Sequence, residues 1–339
     1  MERLRVSGTG YRVSGDGRLR KPGRGVVVSR DPIPDTRNPA PSVDVAIIGA
    51  GPAGLAAAVQ LARQGIGAVV FERGEPGGQI NTANRVDNYL GLPGLGGKEV
   101  AQRFIEHAVK AGVKILQEEV RELITAGEFT LRTTERELRA KAVIVATGAE
   151  PRILDGLEGA PGPEIRYDTS DLGEFWGKST IILGGGDAAL DRALRLKGVC
   201  SRLRVLSRGA ITAHPGLVAE CRRAGVKMVQ GVGRWKVAPG NGGLEVATGK
   251  GTFPAEVVLA SIGKESRTAL LPKNIEGLNV GFPAGQTNIP GLYVIGDIAT
   301  GMYRQLSVAT GMGVAAAMHA AGYLKRIHGV QVEEGQGWS

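Results

Sequence analysis

The segment Gly49-Ala-Gly-Pro-Ala-Gly54 has the residue types and the spacing of a diphosphate-binding turn. Gly49 permits a tight turn, Gly51 lets the backbone approach a pyrophosphate, and Gly54 lets the following helix pack closely on the preceding strand. A helix that begins at Pro52 would direct free N–H groups and a partial positive charge toward the phosphates. The predicted binding residues in this turn are Gly49, Gly51, Pro52, Ala53 and Gly54.

A second segment, Gly184-Gly-Gly-Asp-Ala-Ala189, repeats the pattern with alanine at its last position, which the motif tolerates. Two such segments in one chain predict two bound dinucleotides. Hydride transfer between them needs little from side chains, because the protein mainly fixes the distance between the reacting rings. The predicted binding residues of this segment are Gly184, Gly186, Asp187, Ala188 and Ala189.

The residues that follow each turn's second strand differ in charge. Glu72 lies 18 residues after Gly54, where it is placed to accept hydrogen bonds from a ribose, and Arg73 beside it joins the predicted site. The second unit has Ser207-Arg208 at that place and no acid. A guanidinium beside a hydroxyl favours a 2′-phosphate, hence NADPH. The alternative is a solvated surface arginine, which leaves the nucleotide preference open.

The strands and helices that must position these turns follow from the hydropathy pattern. The β-branched stretch Val43–Ile48 predicts a strand buried on both faces, and the alanine-rich stretch Pro52–Gln64 predicts a helix. With a second strand at Gly67–Phe71 they form a unit of about 30 residues, the size of a dinucleotide-binding unit. The same order returns with strands at Ser179–Leu183 and Leu203–Leu206 and a helix that ends at Lys197.

Two further strands end in glycine turns that predict connections between domains. Ala142–Val145 leads into Ala146-Thr147-Gly148, and Val257–Ala260 leads into Ser261-Ile262-Gly263. Near the end, a strand at 291–296 runs into Asp297 and is followed by a helix at Gly311–Leu324. The predicted organisation is a tail at 1–41, an outer domain at 42–149 and 267–328, an inserted domain at 150–266 and an extension at 329–339.

Composition excludes several classes of protein. The net charge is +9, but residues 1–40 carry nine bases and four acids, so the excess lies mostly in a Gly/Pro-rich tail that we expect to be disordered. The alternative for the tail is a polyanion-binding arm. Since only +4 remains for the rest of the chain, nucleic-acid binding by the folded part is not expected. No apolar run is long enough to cross a bilayer, which predicts a soluble protein. Cys200 and Cys221 form no disulfide framework, and a reducing cytoplasm fits best.

The motifs together resemble the thioredoxin reductase family of FAD-dependent flavoproteins over about residues 42–326. Besides the two glycine turns, the marks are Gly77-Gly78-Gln79-Ile80 with Thr82, Val86-Asp87-Asn88-Tyr89, Ala146-Thr147-Gly148, Gly177-Lys178, Ile289-Pro290-Gly291, Gly296-Asp297 and Tyr303-Arg304-Gln305. The resemblance implies an α/β fold with two Rossmann-like dinucleotide-binding domains, in which the NAD(P)-binding domain is inserted into the FAD-binding domain. It also implies FAD and NADPH as cofactors, a homodimer, and a rotation of the inserted domain that alternates access to the flavin.

The resemblance assigns cofactor contacts to individual residues. Gln79, Thr82 and Asn88, with Gly78, would lie near the isoalloxazine ring. Asp297 would bind the ribityl chain, and Arg304-Gln305 would hold the flavin or its pyrophosphate. The other expected contacts are Ala146, Thr147, Gly148, Gly263, Gly296 and Leu306.

One departure from the family decides the predicted chemistry. Family reductases carry Cys-x-x-Cys ahead of the second glycine turn, where this chain reads Tyr167-Asp-Thr-Ser-Asp171. Carboxylates cannot form a disulfide, and both cysteines lie beyond the second turn. The stretch Tyr167–Lys178 instead looks like the thioredoxin-reductase-type ferredoxin–NADP reductases. As a catalytic pair Asp168 and Asp171 are weaker candidates than as solvated acids.

We therefore predict an FAD-dependent oxidoreductase that passes electrons from NADPH to a non-dithiol acceptor such as ferredoxin, flavodoxin or a quinone. Two alternatives stay open: a flavin-binding redox sensor or interaction protein with a decayed disulfide site, and a disulfide reductase that uses an external thiol. The extension Arg326–Ser339, with Trp338 near its end, is either an aromatic lid over the flavin or a frayed terminus.

Overall fold

The computed structural model describes residues 12–13, 19–20, 40–154, 165–276, 285–301 and 303–330. In the tail it describes two short antiparallel strands, β1 (Arg12–Val13) and β2 (Leu19–Arg20). The expectation of a disordered tail falls mostly on residues outside these ranges and stays a prediction. Of the extension predicted at Arg326–Ser339, the first residues belong to the last helix, which ends at His328, and Trp338 lies outside the described residues.

The outer unit is built on a mixed sheet whose central strands are parallel. Its order is β5-β4-β3-β8-β7-β6, and β19 pairs in parallel with the last three residues of β8, on the edge that β7 occupies earlier along that strand. The strands are β3 (Ser42–Ile48), β4 (Ala68–Phe71), β5 (Lys114–Leu116), β6 (Val120–Ile124), β7 (Phe129–Thr133), β8 (Glu137–Val145) and β19 (Leu292–Val294). The predicted strand at Ala142–Val145 is thus longer at its start, and the one at 291–296 is shorter. From Val45 to Ile48 strand β3 is buried, as expected for a parallel strand covered on both faces.

Three helices cover this sheet: α1 (Pro52–Arg63), α2 (Gly97–Lys110) and α5 (Leu306–His328). Helices α1 and α5 lie in close contact, so close that a Cβ at Gly313 would overlap the carbonyl oxygen of Ala53. The close approach brings the start of α5 to the start of α1. The predicted helix at Gly311–Leu324 was too short: α5 begins at Leu306, since Thr310 is accommodated by donating to the carbonyl oxygen of Leu306 at 3.1 Å.

The inserted unit has a five-stranded parallel sheet with the order β10-β17-β11-β12-β13. Its strands are β10 (Ile165–Arg166), β11 (Ser179–Leu183), β12 (Arg202–Ser207), β13 (Lys227–Gln230) and β17 (Val257–Ala260). Its helices are α3 (Asp187–Leu196) and α4 (Pro215–Arg223). An antiparallel sheet of β14 (Trp235–Gly240), β15 (Gly243–Thr248) and β16 (Gly251–Ala255) packs on the opposite face of the five-stranded sheet. Short 3₁₀ helices occur at Gly78–Thr82, Leu172–Phe175 and Gly296–Ile298.

The two units are joined by a two-stranded antiparallel sheet, β9 (Ala149–Pro151) and β18 (Lys264–Ser266). Pro151 pairs with Lys264 and Ala149 pairs with Ser266, so the chain enters and leaves the inserted unit at one place. The domain limits predicted at 149/150 and 266/267 fall in this connector, although the limits themselves stay a prediction. Within the described ranges, no helix has the length and apolarity that a membrane crossing requires.

Candidate functional site

A cavity of about 1040 Å³ opens at the carboxyl ends of β3, β4 and β8. It is large for a ligand site, since such pockets usually measure about 300–1,000 Å³. The predicted residues that line it are Gly49, Gly51, Pro52, Ala53, Glu72, Arg73, Gly78, Gln79, Asn88, Ala146, Thr147, Gly148, Gly296, Asp297, Arg304, Gln305 and Leu306. Residues far apart in the sequence therefore converge on one cavity.

Two predicted residues of the first site do not line this cavity. A Cβ at Gly54 would overlap the carbonyl oxygen of Gly49, so Gly54 permits close packing, as the motif requires. Thr82 does not line the cavity, and its Oγ1 donates to the carbonyl oxygen of Gln79 at 2.9 Å. Its expected place beside the ring stays a prediction.

The first turn has the geometry of an anion cradle. Gly49 has φ +110°, and a Cβ there would overlap the carbonyl oxygen of Ala146, so only glycine fits. Gly51 caps helix α1 in an extended conformation without any side-chain hydrogen bond, and a Cβ on Gly51 would meet no atom within 4 Å. The uncapped helix N-terminus is therefore open to a diphosphate, with free N–H groups facing the space.

Carboxylates mark two further parts of the cavity. Glu72 accepts hydrogen bonds from the backbone N–H groups of Ala50 at 2.8 Å and Gly74 at 2.9 Å, which ties the end of β4 to the turn. Asp297 lies at the start of a 3₁₀ helix, and burial raises its pKa while Lys264 and Arg304 favour the charged form. The cavity thus offers acceptors for hydroxyl groups as well as donors for phosphates.

The side chains of Asn88 and Gln305 are joined across the cavity. The amide nitrogen Nδ2 of Asn88 donates to Oε1 of Gln305 at 2.8 Å. Gln305 is also the residue that precedes helix α5. This contact ties the loop that follows the first turn to the second part of the outer unit.

A smaller cavity of about 390 Å³ lies at the carboxyl ends of β11, β12 and β17. The predicted residues that line it are Gly184, Gly186, Asp187, Ala188, Ala189, Ser207, Arg208 and Gly263. Gly184 has φ +144°, and a Cβ there would overlap the carbonyl oxygen of Ser261. Helix α3 begins after Gly186 without a side-chain cap, so this second N-terminus also has free N–H groups.

Arg208 is held by an aromatic ring that sequence reasoning missed. Its guanidinium carbon lies 4.3 Å from the ring centroid of Trp235, within the distance of a cation–π contact. Both residues line the smaller cavity. Trp235 is on β14, and nothing in its local sequence connects it with the strand end at Arg208.

Two cations near the connector were also missed. Arg192 is only 8% exposed, donates to Oγ of Ser261 at 3.1 Å and lines the smaller cavity. Lys264 lines both cavities, and its ammonium group donates to the side-chain oxygen of Gln79. Gln79 in turn donates to the carbonyl oxygen of Ala149 in the connector.

Asp168 and Asp171, predicted to stand where the family carries its dithiol, accept hydrogen bonds from their own loop, and Asp168 also favours the charged form of Arg192. Asp168 and Asp171 are exposed, and each accepts a hydrogen bond at 2.8 Å from a backbone N–H two residues later, that of Ser170 or Gly173. Neither cysteine lines the cavities. Cys221 is buried, and burial raises the pKa of its thiol to about 11.

Known proteins resemble the chain over most of its length. The family model "Pyridine nucleotide-disulphide oxidoreductase" matches residues 43–313. A thioredoxin reductase of Bacillus subtilis (strain 168) is 30% identical over 307 residues, which cover 84% of this chain and 95% of that protein. The crystal structure of T. acidophilum thioredoxin reductase has a TM-score of 0.75 at 26% identity and covers 84% of this chain and 99% of its own. That of Lactococcus lactis thioredoxin reductase in its FR conformation has a TM-score of 0.75 at 24% identity, with 84% and 100% covered.

Proposed function

Since the chain belongs to the pyridine nucleotide-disulphide oxidoreductase family, as an FAD-dependent oxidoreductase of the thioredoxin reductase type, we propose that it passes electrons from NADPH to an acceptor other than a dithiol. Family membership confirms the predicted α/β fold with two dinucleotide-binding domains and the predicted cofactors, FAD and NADPH. The acceptor and the assignment of residues to each cofactor are our proposals.

The larger cavity fits FAD. The open N-terminus at Gly51 would hold its pyrophosphate, Glu72 would accept from its adenosine ribose, and Asp297 would bind its ribityl hydroxyls. The ring would then lie by Gln79 and Asn88. Bound FAD supplies two-electron redox chemistry between a pyridine nucleotide and an acceptor.

The smaller cavity fits NADPH. The N-terminus of α3 at Gly186 would hold the pyrophosphate, and Arg208 would bind the 2′-phosphate. The nicotinamide would then extend toward Lys264, which also lines the FAD cavity. Contact between the two cavities supports direct transfer, because the reacting rings must come within about 3–3.5 Å of each other.

The proposal of a non-dithiol acceptor rests on the loop that contains Asp168 and Asp171. Both side chains are engaged by the backbone of their own loop and contain no atom that can form a disulfide. The two thiols lie outside both cavities, and burial raises the pKa of each. These features give electrons no internal thiol route, which favours ferredoxin, flavodoxin or a quinone as the acceptor.

The charge of the chain favours an acidic protein among these acceptors. The net charge of +9 would attract ferredoxin or flavodoxin through long-range electrostatics, so the rate should fall as salt is raised. A homodimer is proposed from family resemblance alone.

The test compares two assays on the purified, FAD-loaded protein. Anaerobic addition of NADPH should bleach the flavin absorbance, and ferredoxin, flavodoxin or a quinone should restore it. Thioredoxin-dependent disulfide reduction should be absent. Efficient thioredoxin reduction that persists in the Cys200→Ser, Cys221→Ser double variant would refute the proposal and favour an external thiol. Rapid bleaching without turnover of any acceptor would favour the sensor.

A further inference from the structure

Lys264 occupies the place where the two cofactor cavities meet. Among the described residues it is the one that lines both of them. It is the first residue of β18, so its backbone is fixed by pairing with Pro151, and its carbonyl oxygen accepts from Arg304 at 3.0 Å. The chain therefore holds this side chain at the junction through a rigid connector rather than a free loop.

The ammonium group of Lys264 is directed into the FAD cavity. It donates to the side-chain oxygen of Gln79, and the electrostatic influence of Asp297 favours its charged form. Both of these residues line the FAD cavity. Under the cofactor placement proposed above, Gln79 lies at the ring and Asp297 at the ribityl chain, so the cation lies at the isoalloxazine end.

The neighbouring charges do not explain Lys264 as an ordinary ion pair. Asp297 lies in the same cavity and favours the charged ammonium, but among the described residues Lys264 forms no ion pair within 4.0 Å. Burial lowers the pKa of Lys264 most, Asp297 offsets part of that effect, and Arg192 and Arg304 lower the pKa further. The charged lysine therefore keeps an electrostatic cost that Asp297 does not fully offset, and a further negative charge beside the ammonium would reduce it.

Reduction of the cofactor supplies such a partner. Transfer of a hydride from NADPH moves two electrons and one proton, leaves NADP⁺, and adds one negative charge to the flavin before any further proton is taken up. A cation next to the ring stabilises that added charge and has no comparable effect on the uncharged ring. The same cation disfavours NADP⁺ at the junction, which helps the oxidised nucleotide to leave.

We propose that Lys264 tunes the cofactor: its ammonium group stabilises the reduced flavin and raises the reduction potential of bound FAD. The inference rests on the proposed placement of FAD in the larger cavity.

The experiment measures the two-electron midpoint potential of the FAD-loaded protein by anaerobic titration against a reference dye. We compare the parent with Lys264→Met and Lys264→Gln, which remove the charge, and with Lys264→Arg, which keeps it. Lys110→Met is the matched control, because Lys110 is exposed at the end of α2 and lines neither cavity. The affinity for FAD is measured in parallel for every variant.

The neutral variants should lower the potential by about 30 mV, which corresponds to a tenfold change in the equilibrium constant of a two-electron couple. Lys264→Arg should restore most of the loss, and Lys110→Met should leave the potential unchanged. An unchanged potential in FAD-loaded Lys264→Met overturns the role of Lys264 alone, whereas a parent that binds no FAD overturns the cofactor placement. If both neutral variants lose FAD while Lys264→Arg keeps it, the positive charge is needed to bind the oxidised cofactor rather than to favour the reduced one, and the proposal is wrong. If all three variants lose FAD, shape rather than charge matters and the proposal is wrong.

Discussion

The predicted binding of the NADPH 2′-phosphate by Arg208 can be tested without measuring catalysis. Arg208 is exposed, lines the smaller cavity and lies with its guanidinium carbon 4.3 Å from the Trp235 ring centroid. Replacing it by alanine removes one charge-assisted hydrogen bond, worth about 1.5–3 kcal/mol. Because the side chain is exposed, we take the lower end of that range, which corresponds to roughly a tenfold loss of affinity.

The ring of Trp235 should account for a smaller share of the binding energy. A cation–π contact at an exposed site is worth about 0.5–1 kcal/mol, so Trp235→Leu should weaken 2′-phosphate binding by roughly twofold to fivefold. Arg204→Ala is the matched control: Arg204 lies on the same strand, β12, and over the ring of Phe253 at 5.7 Å, but it does not line the cavity.

The assay is titration calorimetry with 2′,5′-ADP and with 5′-AMP, which lacks the 2′-phosphate. Arg208→Ala should lower the affinity for 2′,5′-ADP and leave the affinity for 5′-AMP within twofold of the parent. Arg204→Ala should change neither affinity. An equal loss for both ligands would mean that Arg208 supports the adenosine rather than the phosphate. Reduction of the flavin of the parent protein by NADPH and NADH at equal rates would also refute the assignment of Arg208 to the 2′-phosphate.

Three other outcomes follow from the same geometry. Gly51→Ala should fold normally, because the added Cβ meets no protein atom, but it should lose FAD affinity. Gly54→Ala should instead lower the melting temperature, because overpacking costs about 1–3 kcal/mol of folding free energy. Flavin content and thermal unfolding of the two variants distinguish these effects. Asp297→Ala should release FAD during purification, and a purified variant with one flavin per chain would contradict the role of this carboxylate. Burial raises the pKa of the Cys221 thiol from 9.0 to about 11, so the thiol should ionise at lower pH in the unfolded chain than in the folded one. Its contribution to the free energy of unfolding should therefore be complete below pH 9 and lost by about pH 11. Unfolding curves at alkaline pH, compared with those of Cys221→Ser, test whether stability falls as the pH is raised.

The local motifs could be predicted from the sequence, because each fingerprint combines a strand, a turn and a helix that are adjacent in the chain. Gly49 and Gly184 do have positive φ, and each is the only residue type that clears the neighbouring carbonyl oxygen. The start of α5 was predicted five residues late; threonine competes with helix formation through its hydroxyl, but Thr310 lies within the helix and its hydroxyl donates to the carbonyl oxygen of Leu306.

The residues that were missed are positioned by contacts between distant parts of the chain. Trp235 meets Arg208 only because β14 packs against the end of β12. Lys264 reaches Gln79, which lies 185 residues earlier, only because the connector pairs β18 with β9. Hydropathy and spacing describe neighbours along the chain, so they carry no signal for such pairs.

The paired connector also has a consequence for how the protein is made. Helix α5 and strand β19 are synthesised after the inserted unit, yet α5 packs on α1 and β19 pairs with β8, which are synthesised before it. The outer unit therefore cannot complete its core until the whole inserted unit has left the ribosome. When the inserted unit folds first, the pairing of Pro151 with Lys264 draws the two chain ends together and shortens the loop that the outer unit must close. Folding of the inserted unit thus lowers the entropic cost of closing the outer domain that surrounds it.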